Sequence, residues 1–296
     1  MRLGANYVLQ AARLVAEAID RDMVKALIFM AISRANVSAF TATSDAVATY
    51  GGSLDIPPDD VRTPVTTYRI ARDLGLPYET VRRNASILRA AGLCRAVPGG
   101  LIVPLEVYKR PGMVRAVERN YQLTIKLVHD LRAIGITSNL PRDSATRDVS
   151  RQTVRLATQF FLDTLRLMAN VMDLDFLDVV LVCATSLANL DHIMRNPVLS
   201  AKFGGMATPP PDAERTEVSA YAVAAILLMP YETARRRLKR LVNRGLMEQR
   251  GATGYVVPEA VMVGPRVNAG AVELAKRTEE FLTQLSEIGV AARTGI

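Results

Sequence analysis

The sequence predicts a mainly α-helical fold with small β-hairpin wings, built as two homologous helical halves. Three observations carry that expectation. The heptapeptide Pro77-Tyr78-Glu79-Thr80-Val81-Arg82-Arg83 recurs with one change as Pro230-Tyr231-Glu232-Thr233-Ala234-Arg235-Arg236. Apolar residues return every three or four positions over long stretches, the period of a helix buried on one side. Short apolar segments flank the tips Pro98-Gly99-Gly100 and Gly251-Ala252-Thr253-Gly254, the pattern of hairpins.

The repeat extends well beyond the heptapeptide. Between residues 62–93 and 215–246, 15 of 32 positions are identical without a gap, so the two segments are copies of one module. The same spacing of 153 pairs Asp20 and Asp22 with Asp173 and Asp175, Asn36 with Asn189, and Gly51-Gly52 with Gly204-Gly205. One extra residue in the second copy then moves the spacing to 154, which pairs Leu131, Ile134 and Gly135 with Leu285, Ile288 and Gly289. Two copies at so long a period make a tandem duplication and not a solenoid. The halves run 1–140 and 141–296, each long enough for a core of its own.

Composition narrows the class. Hydrophobic residues make up 49% of the 296-residue chain but aromatic ones only 5%, with no Trp, which suits aliphatic helix packing better than an aromatic ligand cage. The two cysteines, Cys94 and Cys183, occupy non-equivalent places, so no disulfide framework is expected and a reducing cytoplasm fits. The start carries no signal-peptide pattern, and the apolar runs 26–32 and 179–184 are too short to span a bilayer. Formal net charge is +8, and the excess is concentrated in the copied modules: 62–113 holds nine Lys/Arg against three Asp/Glu, and 215–267 holds nine against four. Matched cationic modules are the footprint of a polyanion binder.

Taken in order, residues 5–19 form a helix with Val8, Ala12, Val15 and Ile19 on one face. A second helix, 23–36, starts at Asp20 or Asp22 as N-cap, and its copy begins near Asp175. Capping is preferred to a metal site, because no His or further carboxylate joins the pairs in sequence. These helices are apolar nearly all round, which places them in a core between the halves or in a homodimer interface. Residues 38–61 and 191–214 are long connections with matched Pro-Pro steps, read as shaped excursions with short helices. The module follows: helix 66–74, the turn Gly75-Leu76-Pro77, helix 78–91, Gly92 as stop, and strands 93–97 and 101–103. Its copy runs helix 220–228, turn Met229-Pro230, helix 231–244, Gly245, and strands 246–250 and 255–257. Helices at 114–134 and 270–288 close the halves, and 137–148 links them.

Helix, turn, helix and hairpin is the order of a winged helix-turn-helix. The run from Ile70 to Arg83, with Leu88 and Ala91-Gly92-Leu93, resembles the reading heads of bacterial transcription regulators of the GntR and MarR kind. The likeness covers 62–104 and 215–258, and the flanking helices do not extend it. It departs at Leu228, where the turn glycine is replaced. It implies double-stranded DNA as partner, with the start of the second helix reaching base edges. There stand Tyr78, Glu79, Thr80, Arg82 and Arg83, and in the copy Tyr231, Glu232, Thr233, Arg235 and Arg236. Arginine can bridge guanine, glutamate can accept from cytosine, and a threonine methyl can touch thymine. Arg89 and Lys239 suit phosphates, and Arg95 and Arg250 stand beside the wings. Simpler roles compete: Pro77 and Glu79 start a helix well, Tyr78 can pack under the wing, and Thr80 can bond locally. Structure alone rarely needs two adjacent exposed arginines repeated in both copies.

Two heads on one chain suggest a built-in pseudo-dimer, with Arg82 and Arg235 on one face about 30–40 Å apart. An enzyme is not expected, because His129 and His192 are isolated and no phosphate loop, zinc spacing or nucleophile triad occurs. No cofactor is called for. A winged-helix scaffold for protein assembly and a replication-initiator-like DNA binder remain open beside a cytoplasmic, nucleoid-associated transcription regulator. No polar constellation marks an effector pocket.

Overall fold

The first helix, α1 (Arg2–Ala18), turns Val8, Ala12 and Ala16 inward. It belongs to a computed structural model that describes residues 2–40, 49–136, 148–203 and 209–290. Asp20 and Arg21 take left-handed backbone angles, and Asp22 then caps α2 (Met23–Val37) by accepting from the Lys25 amide at 3.0 Å. Of the two expected caps, Asp22 does the work, while Asp20 pairs with the Lys25 ammonium at 2.6 Å. Next come α3 (Thr67–Leu74), α4 (Tyr78–Ala90), the hairpin β1 (Arg95–Val97) and β2 (Gly100–Ile102), a single-turn α5 (Leu105–Tyr108), and α6 (Pro111–Ala133).

The same order follows in the second half: α7 (Ser150–Met172), α8 (Phe176–Asn189) capped by Asp175, then two short helices, α9 (Asp191–Arg195) and α10 (Pro197–Lys202). After β3 (Val218–Ser219) come α11 (Ala220–Ile226), α12 (Tyr231–Asn243), β4 (Glu248–Arg250), β5 (Gly254–Val256), α13 (Glu259–Met262) and α14 (Pro265–Glu287). The chain is mostly helical with two small antiparallel sheets, β1-β2 and β3-β5-β4. The third strand is a small elaboration. The first half makes the matching contact as a lone bridge between Val65 and Leu101. The residue that shifts the repeat spacing lies at the second hairpin tip, which is three residues long against two in the first.

Expected and observed helices agree to within a few residues, with three additions. Helix α7 was not singled out in the sequence, and neither were the single turns α5 and α13. The described parts of the connections carry short 3-10 turns at Ser38–Phe40, Asp59–Val61 and Asp212–Glu214, as expected of shaped segments, and residues 41–48 lie outside the described residues. Gly204-Gly205 and all but Asp148 of the anticipated linker lie outside the described residues.

Packing follows the repeat. Within each half α1 lies on α6 and α7 lies on α14; between halves α1 packs on α8 and α2 on α7. Each of these contacts has its mirror at the repeat spacing, which is the signature of a twofold relation inside one chain. Tyr7 and Phe160 are equivalent residues and their rings meet at 6.3 Å, which puts that pair near the axis. Phe160 also stacks on Phe281 at 4.5 Å. The Tyr7 hydroxyl meets Thr124 at 3.3 Å, and burial outweighs that bond to push its pKa up to about 12. One apolar cluster runs through both halves, with α2 and α8 buried inside it. Those two helices therefore form the core between the halves, one of the two roles the sequence left open.

Candidate nucleic-acid interface

Each copied module is hung from a buried asparagine. Asn36, fully buried at the end of α2, donates to the carbonyls of Thr63 and Leu101 at 2.7 and 3.1 Å and accepts from the Val103 amide at 2.8 Å. Asn189 does the same at the end of α8 with Thr216, Tyr255 and Val257. One side chain thus joins the core helix, the approach to the module and the inner hairpin strand. A second clamp sets the entry: Arg62 and Arg215 are buried and donate to the carbonyls of Pro57 and Pro210 at 2.7 and 3.0 Å.

Thr66 caps α3 by accepting from the Arg69 amide at 3.2 Å, and Gly75 ends it at φ 65°. In the copy Leu228 takes φ 49°, so the turn survives the loss of glycine. A left-handed leucine costs about 1–2 kcal/mol. Its side chain is packed against the core, and its carbonyl accepts from the Met23 amide of the other half at 3.4 Å. The first turn is placed alike, with Gly75 against Asp175 of the second half. Both turns therefore lean on the opposite half's core helix. Pro77 and Pro230 stand one position before the helices that they open, where they accept from the amides of Thr80 and Thr233 at 3.0 Å.

On α4, Val81, Ala85 and Leu88 are buried while Arg82, Arg83, Ser86 and Arg89 face solvent; on α12, Ala234, Leu238 and Leu241 are buried. Tyr78 and Tyr231 are 45% and 44% exposed, so neither is packed away under a hairpin. Glu79 and Glu232 are exposed, and each binds the arginine three residues on: Glu79 to Arg82 at 2.8 Å and Glu232 to Arg235 at 3.1 Å. Thr80 and Thr233 are half-buried. Arg83 and Arg89 in the first copy, and Arg236 and Lys239 in the second, are exposed and form no ion pair among the described residues.

Arg95 and Arg250 prove not to be equivalent. Arg95 opens its strand opposite Ile102, whereas Arg250 ends its strand opposite Gly254. Both reach back to the 3-10 turn ahead of the module, Arg95 to the Asp59 carboxylate at 2.7 Å and Arg250 to the Asp212 carbonyl at 3.2 Å. Their first task is to hold the hairpin down. Tyr68 and Tyr221, identical in the repeat, are more exposed than the tyrosines singled out, at 68% and 72%. Their identity across the copies was the available signal.

The two modules differ in charge more than the sequence windows suggest. Arg237 binds Asp175 at 2.8 Å and Asp178 at 2.6 Å, Arg240 binds both, and Arg244 binds Asp173 at 3.0 Å. The first copy has Asn84, Ile87 and Ala91 in place of those arginines, and Lys25 in place of Asp178. Each half thus balances its own charge by a different route: in the first, Lys25 faces Asp20 and Asp22, and in the second the arginines of α12 face the aspartates of α8. Three cations counted toward the second module's surplus are neutralised by carboxylates outside it.

No protein-family model matches the chain, and neither does any curated protein or solved structure.

Proposed function

We propose that the chain is a sequence-specific double-stranded DNA-binding transcription regulator, its two modules being winged helix-turn-helix reading heads that act as a pseudo-dimer within one polypeptide. The observation that carries this reading is the repeated, solvent-facing start of α4 and α12, where each helix presents an exposed tyrosine, a Glu–Arg pair and an unpaired arginine. The free amides and positive dipole end of each helix add to that attraction for phosphate. On α4 and α12, Arg83, Arg89, Arg236 and Lys239 are exposed cations without an ion pair among the described residues, and the preceding helices add the exposed Tyr68 and Tyr221. The Glu79–Arg82 and Glu232–Arg235 pairs are exposed, where an ion pair is held weakly and exchanges readily for a base or phosphate.

The heads are unequal. Three arginines of the second are engaged with aspartates outside the head, so an imperfect palindrome is the expected target. Fluorescence anisotropy on genomic duplex fragments across a salt series tests the reading. A DNA binder of this kind loses about a thousandfold in affinity or more between about 50 and 200 mM salt. Arg83→Ala and Arg236→Ala each flatten the log–log slope by about one unit if each meets a phosphate. Absence of duplex binding at low salt removes the reading and leaves a scaffold for protein assembly.

A further inference from the structure

The twofold relation inside the chain places two cavities at equivalent positions, and they differ in chemistry. One, of about 310 Å³, lies where the end of α2 meets the start of α7, beside Arg62 and Tyr108. The other, of about 80 Å³, lies where the end of α8 meets α1, beside Met262. Ser33 lines the first where Ser186 lines the second; Arg34 and Tyr108 stand where the second has Leu187 and Met262. At those two positions the fold is closed once with apolar side chains, so it does not require Arg34 or Tyr108 there.

The larger cavity carries Arg151 and Arg155 on successive turns of α7. Arg151 donates one Nη2 bond to the Ser53 carbonyl at 2.5 Å, and its buried Nε has no hydrogen-bond partner among the described residues. Arg155 donates from Nη1 to Gln152 at 3.3 Å, and its buried Nη2 has no hydrogen-bond partner among the described residues. Neither forms an ion pair among the described residues. Of the neighbouring carboxylates, Asp163 pairs with Arg34 at 2.7 Å and Asp59 with Arg62 and Arg95, while Asp55 and Asp148 bind the backbone amides of Gly52, Ser53 and Ser150 and attract the cavity arginines only from beyond ion-pair distance. The Tyr108 ring lies 5.1 Å from the Arg62 guanidinium and 5.9 Å from that of Arg151. Arg62 is discounted from the cavity's surplus, because Arg215 repeats its burial and its carboxylate contact. Burial, then the charge of Arg151, lowers the Arg155 pKa to about 10, which leaves it a cation at neutral pH.

A buried guanidinium without a counterion is costly, and an anion supplied from outside relieves that cost. We propose that this cavity binds a small organic anion with an apolar body, its carboxylate or phosphate held by Arg151 and Arg155 beside Tyr108. Val37, Ile56 and Val154 line it as well and suit the apolar part. The volume fits a small metabolite and excludes a duplex. The ligand would touch both halves, since the lining draws on α2 and α7, and so its binding would bias how the two modules stand relative to each other. The binding step itself is independent of the DNA reading.

The test uses the whole protein and three probes of similar shape: phenyl phosphate, benzoate and neutral benzamide. Thermal melts and calorimetry are run on the wild type and on Arg151→Met and Arg155→Met. At about a hundredfold excess over Kd, an anionic probe is expected to raise Tm by about 4 °C or more, and benzamide to leave it unchanged. Comparison of phenyl phosphate with benzoate assigns the phosphate or carboxylate preference. The methionine variants are expected to lose the shift and to melt, without ligand, no lower than the wild type. The proposal is overturned if neither anion binds at millimolar concentration, if benzamide matches them, or if the variants keep the shift. Should a variant fail to fold, the anion-against-benzamide comparison on the wild type still decides.

Discussion

Gly75 and Leu228 stand at the same place in the two copies and both hold left-handed backbone, at φ 65° and 49°. The turn is therefore imposed by the surrounding packing and merely eased by glycine. In the first copy, Gly75 borders Asp175 of the other half. Gly75→Ala is expected to cost about 1–2 kcal/mol through backbone strain alone, read as a lower urea midpoint with unchanged slope. An unaltered midpoint would mean that the turn is not left-handed. The same comparison shows what a sequence can withhold. The missing glycine weakened the turn signal, because the support for Leu228 comes from Met23, which is more than two hundred residues away in the chain.

Among the elements, the bond between core helix and hairpin is the joint on which each module depends. Asn36→Ala removes the partner of two carbonyls and one amide in a buried site and is expected to destabilise by about 3 kcal/mol. Asn189→Ala should cost a similar amount, because its bonds are the same three. Chemical denaturation checks both, and a loss below about 0.5 kcal/mol would deny the joint its role. The helices and hairpins of the modules were legible in advance from Pro77, Gly92 and the apolar period, because those signals are local. The ion cluster of Arg237 and Arg240 with Asp175 and Asp178 was not, since the partners lie about sixty residues apart and meet only through packing. The arginine-lined cavity was hidden for the same reason: Arg62, Tyr108 and Arg151 come from three separate stretches. Of the site itself, the exposed Arg83 and Arg236 could be foreseen from helical phase, whereas the anchoring roles of Arg95 and Arg250 could not.

For the molecule as a whole, duplication has produced two related surfaces held by a shared core, and the copies have since diverged. Among the described residues one helix keeps Arg83 and Arg89 and the other Arg236 and Lys239 without an ion pair, but the second also carries three arginines bound to aspartates outside the module. The proposed pseudo-dimer requires both surfaces to meet one duplex at once. Hydroxyl-radical footprinting of the tightest genomic site, with the protein-to-DNA ratio measured alongside, tests it most directly. One chain per site should protect two patches on one face of the duplex, roughly one helical turn or 10 base pairs apart, and Arg236→Ala should weaken one patch and spare the other. A single patch indifferent to Arg236→Ala, or a site that needs two chains to form two patches, would contradict it.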